Sequence, residues 1–260
     1  MSKPVFYDRF TSNNAARIRL WLYLKGKEDD FEVQLTKHAQ QLDPKYQALN
    51  PLGKLPLLVL PSGQSIAESS VILSYLEDKY KGLSPSLRPD SPEDRAHMEM
   101  VIRVHDVYIA SPNCTQPGFT HTQGCMYLGP TESHFTPKER TIPRPARAAK
   151  LAELWKQLDI LEGLMWGPYF VGSAMTLADL TLYPTFVFFV MMLPLAFRWP
   201  DVFHGRPKLC AWMGEMEKNA HVQMVKRQIL DAWEPKLRGE GDFDAIIEET
   251  KDSSFKWVYP

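Results

Sequence analysis

The spacing of apolar residues changes character once along this chain, and that change limits the folds open to it. Up to about residue 80, short alternating runs that suit strands are interleaved with runs of helical spacing. Beyond a stretch rich in Pro, Ser and Gly at 81–92, every regular segment has helical spacing alone. The expected architecture is α/β followed by all-α, with one domain over 1–82, a linker, and a second domain over 93–260. A chain of 260 residues is long enough for both parts to bury a core.

Within the first part, residues 4–8 read as a strand ending in a polar turn at 9–11. Residues 13–25 read as a helix closed by Gly26, residues 31–35 as a second strand, and 43–49 as a short polar helix. Pro56 opens a strand to residue 60, Pro61 to Gln64 make a hairpin turn, and 65–67 return as its partner. An amphipathic helix follows over 68–80, with Val71, Ile72, Tyr75 and Leu76 expected inward. In the second part, helices are expected over 92–110, 145–163 and 207–219. Another starts near Thr176. The apolar run 180–197 contains Pro184 and Pro194 and is expected to form a buried pair of helices rather than a membrane span. Residues 111–143, loaded with Pro, Gly, Thr and His, are expected as a long irregular loop, and 239–260 as an appended tail with one short helix.

Bulk composition excludes several classes of function. The chain is 44% hydrophobic and 23% charged, as ordinary globular proteins are, and its formal net charge is −1. It has no global attraction to nucleic acid or to an anionic membrane. Three cysteines, Cys114, Cys125 and Cys210, cannot make a disulfide framework and suit a reducing compartment. The first residues carry no apolar signal core, so a cytoplasmic protein is expected. His105, His121 and His134 have no Cys/His spacing that would hold a metal and are expected as polar surface residues.

Two motifs carry a resemblance. Asn50-Pro51-Leu52-Gly53-Lys54-Leu55-Pro56 is followed at the usual separation by Glu68-Ser69 and then Ile72, Tyr75 and Leu76. Together they resemble the glutathione transferase superfamily, and Thr176-Leu177-Ala178-Asp179 resembles a helix start in its C-terminal domain. The resemblance implies a thioredoxin-like N-terminal domain that binds glutathione, then an all-helical domain that carries the electrophile site. It implies that the Leu55–Pro56 peptide is cis, with the Leu55 backbone turned toward ligand. It also implies Lys54 against the glycine carboxylate, Ser69 and its N–H on the γ-glutamyl carboxylate, and Glu68 near the amino end. Read from the residues alone, Ser69 is a helix cap and Lys54 a solvated lysine.

Glutathione is then a co-substrate, and the chemistry asked of the protein is to hold its sulfur as a thiolate. A free thiol has a pKa of about 8.5, so a donor aimed at sulfur from a helix N-terminus is wanted. Ser12 stands five positions before Arg17, the offset of the active serine in serine-type classes, and is the first candidate. Its bland role is to cap the first helix. Asn14, with Ser12 and Arg17, resembles the nu class, its fungal Ure-type relatives and etherase-like fungal enzymes, in which an asparagine contributes to the sulfur site. The zeta class carries cysteine at that position, so its maleylacetoacetate isomerase activity is not expected here. No cysteine stands at the offset used by the cysteine-type classes. Tyr7 lies at the wrong distance from Arg17 for the tyrosine-type classes and reads as a packed strand aromatic.

By the same resemblance Phe10 and Tyr108 line the electrophile site. Phe119 is placed there with them, on the expectation that the 111–143 loop partly covers it. The leading expectation is an enzyme that directs the glutathione thiolate onto a hydrophobic electrophile, a detoxification chemistry, with no metal and as a homodimer. The alternatives are a glutathione-dependent reductase or lyase of the nu or etherase kind, a non-catalytic transferase-like interaction module, and a carrier of hydrophobic ligands.

Overall fold

The computed structural model describes residues 2–41, 43–110 and 122–260. Its N-terminal part runs β1 (Val5–Asp8), α1 (Asn13–Lys25), β2 (Glu32–Leu35), α2 (His38–Gln41), α3 (Pro44–Leu49), β3 (Leu57–Val59), β4 (Ser65–Ala67) and α4 (Ser69–Lys79). The sheet order is β2-β1-β3-β4, with β1 parallel to β2 and antiparallel to β3. This is the thioredoxin-like arrangement. A crossover helix links the two parallel strands, and a hairpin, β3–β4, feeds the last helix. The ends of α1 follow from local chemistry. Ser12 is its N-cap, and Gly26 terminates it in the left-handed region at φ 59°, where a Cβ would be disfavoured.

The second part contains α5 (Pro92–Val104), α6 (Arg144–Leu164), α7 (Leu177–Phe197), α8 (Pro207–Met216), α9 (Ala220–Pro235) and α10 (Phe243–Glu249). α7 is the central pillar, packed against α1, α5 and α9. One hydrophobic core therefore runs through both parts, from Phe6, Leu20 and Trp21 to Phe186, Phe188 and Trp212. Asp179 starts α7 by a reciprocal capping box with Thr176.

Several expectations are corrected. Residues 180–197 form one continuous helix, not two, with both prolines inside it. Each proline removes a single hydrogen bond to the carbonyl four residues earlier, and the helix continues through both because it is packed on nearly every side. Val71 is 52% exposed rather than inward, because Ile72, Leu73 and Leu76 define the buried face of α4. The helix expected over 92–110 is α-helical to Val104 and continues as a π-helical turn, His105–Ile109. α9 was not anticipated, although Val222, Val225, Ile229 and Trp233 make a narrow buried stripe on an otherwise polar helix. The C-terminal segment is no loose appendage. After α10, Trp257 and Tyr259 are buried, and Tyr259 packs against Trp155 and Trp199. In the described part of the long connection, Thr122–Met126 is a buried 3-10 turn, and Ile142 is fully buried. The Arg147 guanidinium clamps the two ends by donating to the carbonyls of Cys125 and Ile142.

Candidate functional site

The cavity begins with a loop that its own sequence makes rigid. The Asn50 carboxamide reaches forward along the chain, its Nδ2 donating to the Lys54 carbonyl at 2.8 Å and its Oδ1 accepting from Leu52 N–H at 3.2 Å. Tyr46 donates its hydroxyl to the same Lys54 carbonyl at 2.6 Å, and burial pushes that phenol up to about 12, so it stays a donor at neutral pH. Gly53 turns the loop at φ 61°, a conformation that favours glycine. With the carbonyl held, the exposed Lys54 side chain and the cis Leu55–Pro56 peptide come to the cavity wall.

Across the cavity stands the start of α4. Glu68 is the N-cap residue at φ 66° and ψ 116°, a strained backbone for a residue with a Cβ, and its side chain makes no cap hydrogen bond. The first N–H groups of α4 and the buried Ser69 thus face the cavity uncapped, at the positive end of the helix dipole.

The third wall comes from α1 and the π turn. Asn14 and Arg17 line the cavity from α1, and Asp106 and Ala110 line it from the turn and the residue after it. Arg17 pairs with Asp106 at 3.0 Å with only 3% of its side chain exposed. Burial alone would raise the Asp106 carboxyl. The Arg17 guanidinium and the His105 ring outweigh it and hold the carboxyl well below the usual carboxylate range. His105 is fully buried between Asp106 and Thr185, which corrects the expectation of a surface histidine. Burial lowers its pKa, Asp106 opposes that, and the ring is neutral.

The cavity therefore gathers Asn14, Lys54, Leu55, Pro56, Glu68 and Ser69, all singled out in the sequence, from three separated segments. Arg17, Asn50, Asp106 and Ala110 join them without having been anticipated as site residues. Ser12 is not among the residues lining the cavity. Its Oγ accepts from Ala15 N–H at 3.2 Å, which still leaves the hydroxyl hydrogen free to donate. Phe10 lies under the Arg19 guanidinium at 4.9 Å, and Tyr108 is 50% exposed. Neither lines the cavity. Phe119, His121 and Cys114 fall outside the described residues. Tyr7 packs edge-on against Tyr46, and His134 is exposed. Among the described residues no three His, Cys, Asp or Glu side chains are grouped to hold a metal ion. Two cations, two carboxylates, amide donors and a helix N-terminus suit a small peptide-like ligand with more than one carboxylate.

Residues 11–79 match the glutathione S-transferase N-terminal domain family, and residues 144–215 the glutathione S-transferase C-terminal domain family. Human glutathione S-transferase theta-2 is 33% identical over 205 residues, 75% of each chain. The maleylacetoacetate isomerase of Rattus norvegicus is 30% identical over 184 residues, which cover 70% of this chain and 76% of the relative. A solved maleylacetoacetate isomerase from Methylobacterium extorquens AM1, with malonate and glutathione bound, superposes with a TM-score of 0.65 at 22% identity. That match covers 86% of this chain and 97% of the other.

Proposed function

The chain belongs to the glutathione S-transferase family, and we propose that it binds glutathione in this cavity and presents the sulfur, as a thiolate, to an electrophile. In this reading the α4 N-terminus and Ser69 hold the γ-glutamyl carboxylate, and Glu68 takes the amino group. Lys54 takes the glycine carboxylate, and the Leu55 backbone aligns the cysteinyl unit. Ser12 and Asn14 are the donors to sulfur, and a hydrogen bond to the ionised form favours it. No covalent bond to the protein is needed. Catalysis consists of ionising the thiol and orienting it against the second substrate.

The observation that carries this reading is the convergence of Asn14, Lys54, Leu55–Pro56 and Glu68–Ser69 on one cavity from distant parts of the chain. A solved relative that contains glutathione adds support at the level of the family. A second reading, glutathione-dependent reductive or lytic cleavage of the nu or etherase kind, is favoured by one feature: Asn14 lines the cavity and Ser12 does not. Phe10 and Tyr108 are not at the cavity wall, where Arg17, Asp106 and Ala110 stand instead. A homodimer in the cytoplasm, serving detoxification, completes the proposal.

The test is a pH titration of the ultraviolet thiolate absorbance of bound glutathione in the wild type, Ser12→Ala and Asn14→Ala. Ionisation well below the free thiol, lost in one of the two variants, assigns the donor and supports the transferase reading. The absence of saturable glutathione binding would instead leave a transferase-like interaction module.

A further inference from the structure

Behind the cavity lies a chain of buried polar groups that spans both parts of the protein. Asn13 Nδ2 contacts Thr185 Oγ1 at 2.6 Å, and Thr185 Oγ1 contacts His105 Nε2 at 2.7 Å. His105 Nδ1 contacts Asp106 Oδ1 at 2.9 Å. One terminal nitrogen of Arg17 then touches Asp106 Oδ1 at 3.0 Å and Asn14 Oδ1 at 2.8 Å. The far end is closed by a reciprocal pair of carboxamides, Asn13 and Gln123.

The direction of every bond follows from the chemistry of two members. Arginine can only donate and an ionised aspartate can only accept. The Asn14 atom facing Arg17 must therefore be the carboxamide oxygen, which turns the NH2 group away from Arg17. Asp106 requires a hydrogen on His105 Nδ1. The buried ring is neutral, so Nε2 is an acceptor and takes the Thr185 hydroxyl hydrogen. The Thr185 oxygen in turn accepts from Asn13. No interior member is left facing a like group.

We propose that Arg17, Asp106 and His105 are positioning residues that lock the Asn14 carboxamide with its NH2 directed at the sulfur of bound glutathione. The inference rests on the transferase reading and extends it to residues that need not touch glutathione. Among the described residues this clamp is the one side-chain hydrogen bond of Asn14, and it fixes which face of the carboxamide meets Arg17. The π turn is the device that brings His105 and Asp106 to the clamp, on the side of α5 next to α1 and α7. The charged groups lining the cavity are Arg17 and Asp106 on this side and Lys54 and Glu68 on the other.

Asp106→Asn separates positioning from simple electrostatics, because the two predict opposite signs. Removing a nearby negative charge would by itself make a thiolate easier to form and lower the pKa of the bound thiol. Loss of the clamp raises it. The experiment titrates the thiolate absorbance of bound glutathione in four proteins: wild type, Asp106→Asn, Asn14→Ala and the double variant. The expected result is a rise of about one unit for Asp106→Asn, and no further rise when Asn14 is already alanine. Thr185→Val, read in the same two backgrounds, is expected to move the value in the same direction by less, and it decides the matter if Asp106→Asn does not fold. A fall, or an equal shift in both backgrounds, overturns the proposal. So does an Asn14→Ala protein whose bound thiol ionises as in the wild type, an outcome that leaves the transferase reading standing on Ser12. Failure of the wild type to bind glutathione would instead sink the transferase reading itself.

Discussion

His105 has no exposed surface, and burial pulls its pKa below the ordinary value near 6.5. The unfolded chain takes up a proton as pH falls below about 6.5, whereas the folded chain does not until the depressed value is reached. The stability tied to this histidine is thus complete above about pH 6.5 and declines as pH falls through that window. Unfolding free energies from urea titrations between pH 7 and 5 should fall more steeply for the wild type than for His105→Gln, by at most about 1.4 kcal/mol per pH unit. Equal slopes would mean that His105 has the same pKa in the folded and unfolded chains. At this scale the sequence was informative wherever a contact is local. Asn50 and Lys54 lie four positions apart, and a single turn brings them together. Arg17 and Asp106 are 89 positions apart. No periodicity reports such a pair, and Arg17 and Asp106 meet at the cavity wall only when α1 packs beside the π turn.

The start of α7 is the element on which the helical part is built. Asp179 is fully buried, yet its two oxygens accept from Thr176 N–H, the Thr176 hydroxyl, Phe170 N–H and Trp212 Nε1–H. Asp179→Ala would strand these donors away from water and should cost about 3 kcal/mol or more, measured as a shift in the urea midpoint at unchanged slope. Asp179→Asn keeps one acceptor oxygen and should cost less. A loss under about 1 kcal/mol for the alanine variant would show that water replaces the carboxylate. The start of α7 was legible through the resemblance of Thr176-Leu177-Ala178-Asp179 to a helix start of the family. The continuity of the helix through Pro184 and Pro194 was not. A proline weakens a helix locally, and only the surrounding packing decides whether the helix breaks.

For the whole molecule, two features decide its behaviour in solution. The C-terminal residues lie over the aromatic cluster of Trp155 and Trp199, and the Trp257 carbonyl accepts from Trp199 Nε1–H at 2.8 Å. Deleting residues 256–260 removes the buried Trp257 and Tyr259 and should cost about 3 kcal/mol or more, a fall in Tm of roughly 10 °C. An unchanged Tm would mean that these contacts are not made in solution. On the surface, Leu52, Val71 and Met100 are 57%, 52% and 45% exposed, on the loop before β3, on α4 and on α5. Light scattering on an eluting peak should give twice the chain mass, and replacing these three by glutamate should give the single-chain mass. A wild type that elutes at the single-chain mass would remove the homodimer from the proposed function.

The sequence by itself determined the division into an α/β part and a helical part, the loop that ends in Leu55–Pro56, and the residues at the start of α4. All of these are written in spacing, turn chemistry and motifs that act over a few residues. Only the tertiary structure decided that α7 is one helix, that the C-terminal segment is buried, and that Asn14 rather than Ser12 lines the cavity. It alone brought Arg17, Asp106, His105 and Thr185 into one network. The physical reason is that packing between distant segments excludes water from places no single segment encloses. That exclusion holds a proline-containing helix together, buries the C-terminal aromatics and sets the energy of a buried polar contact.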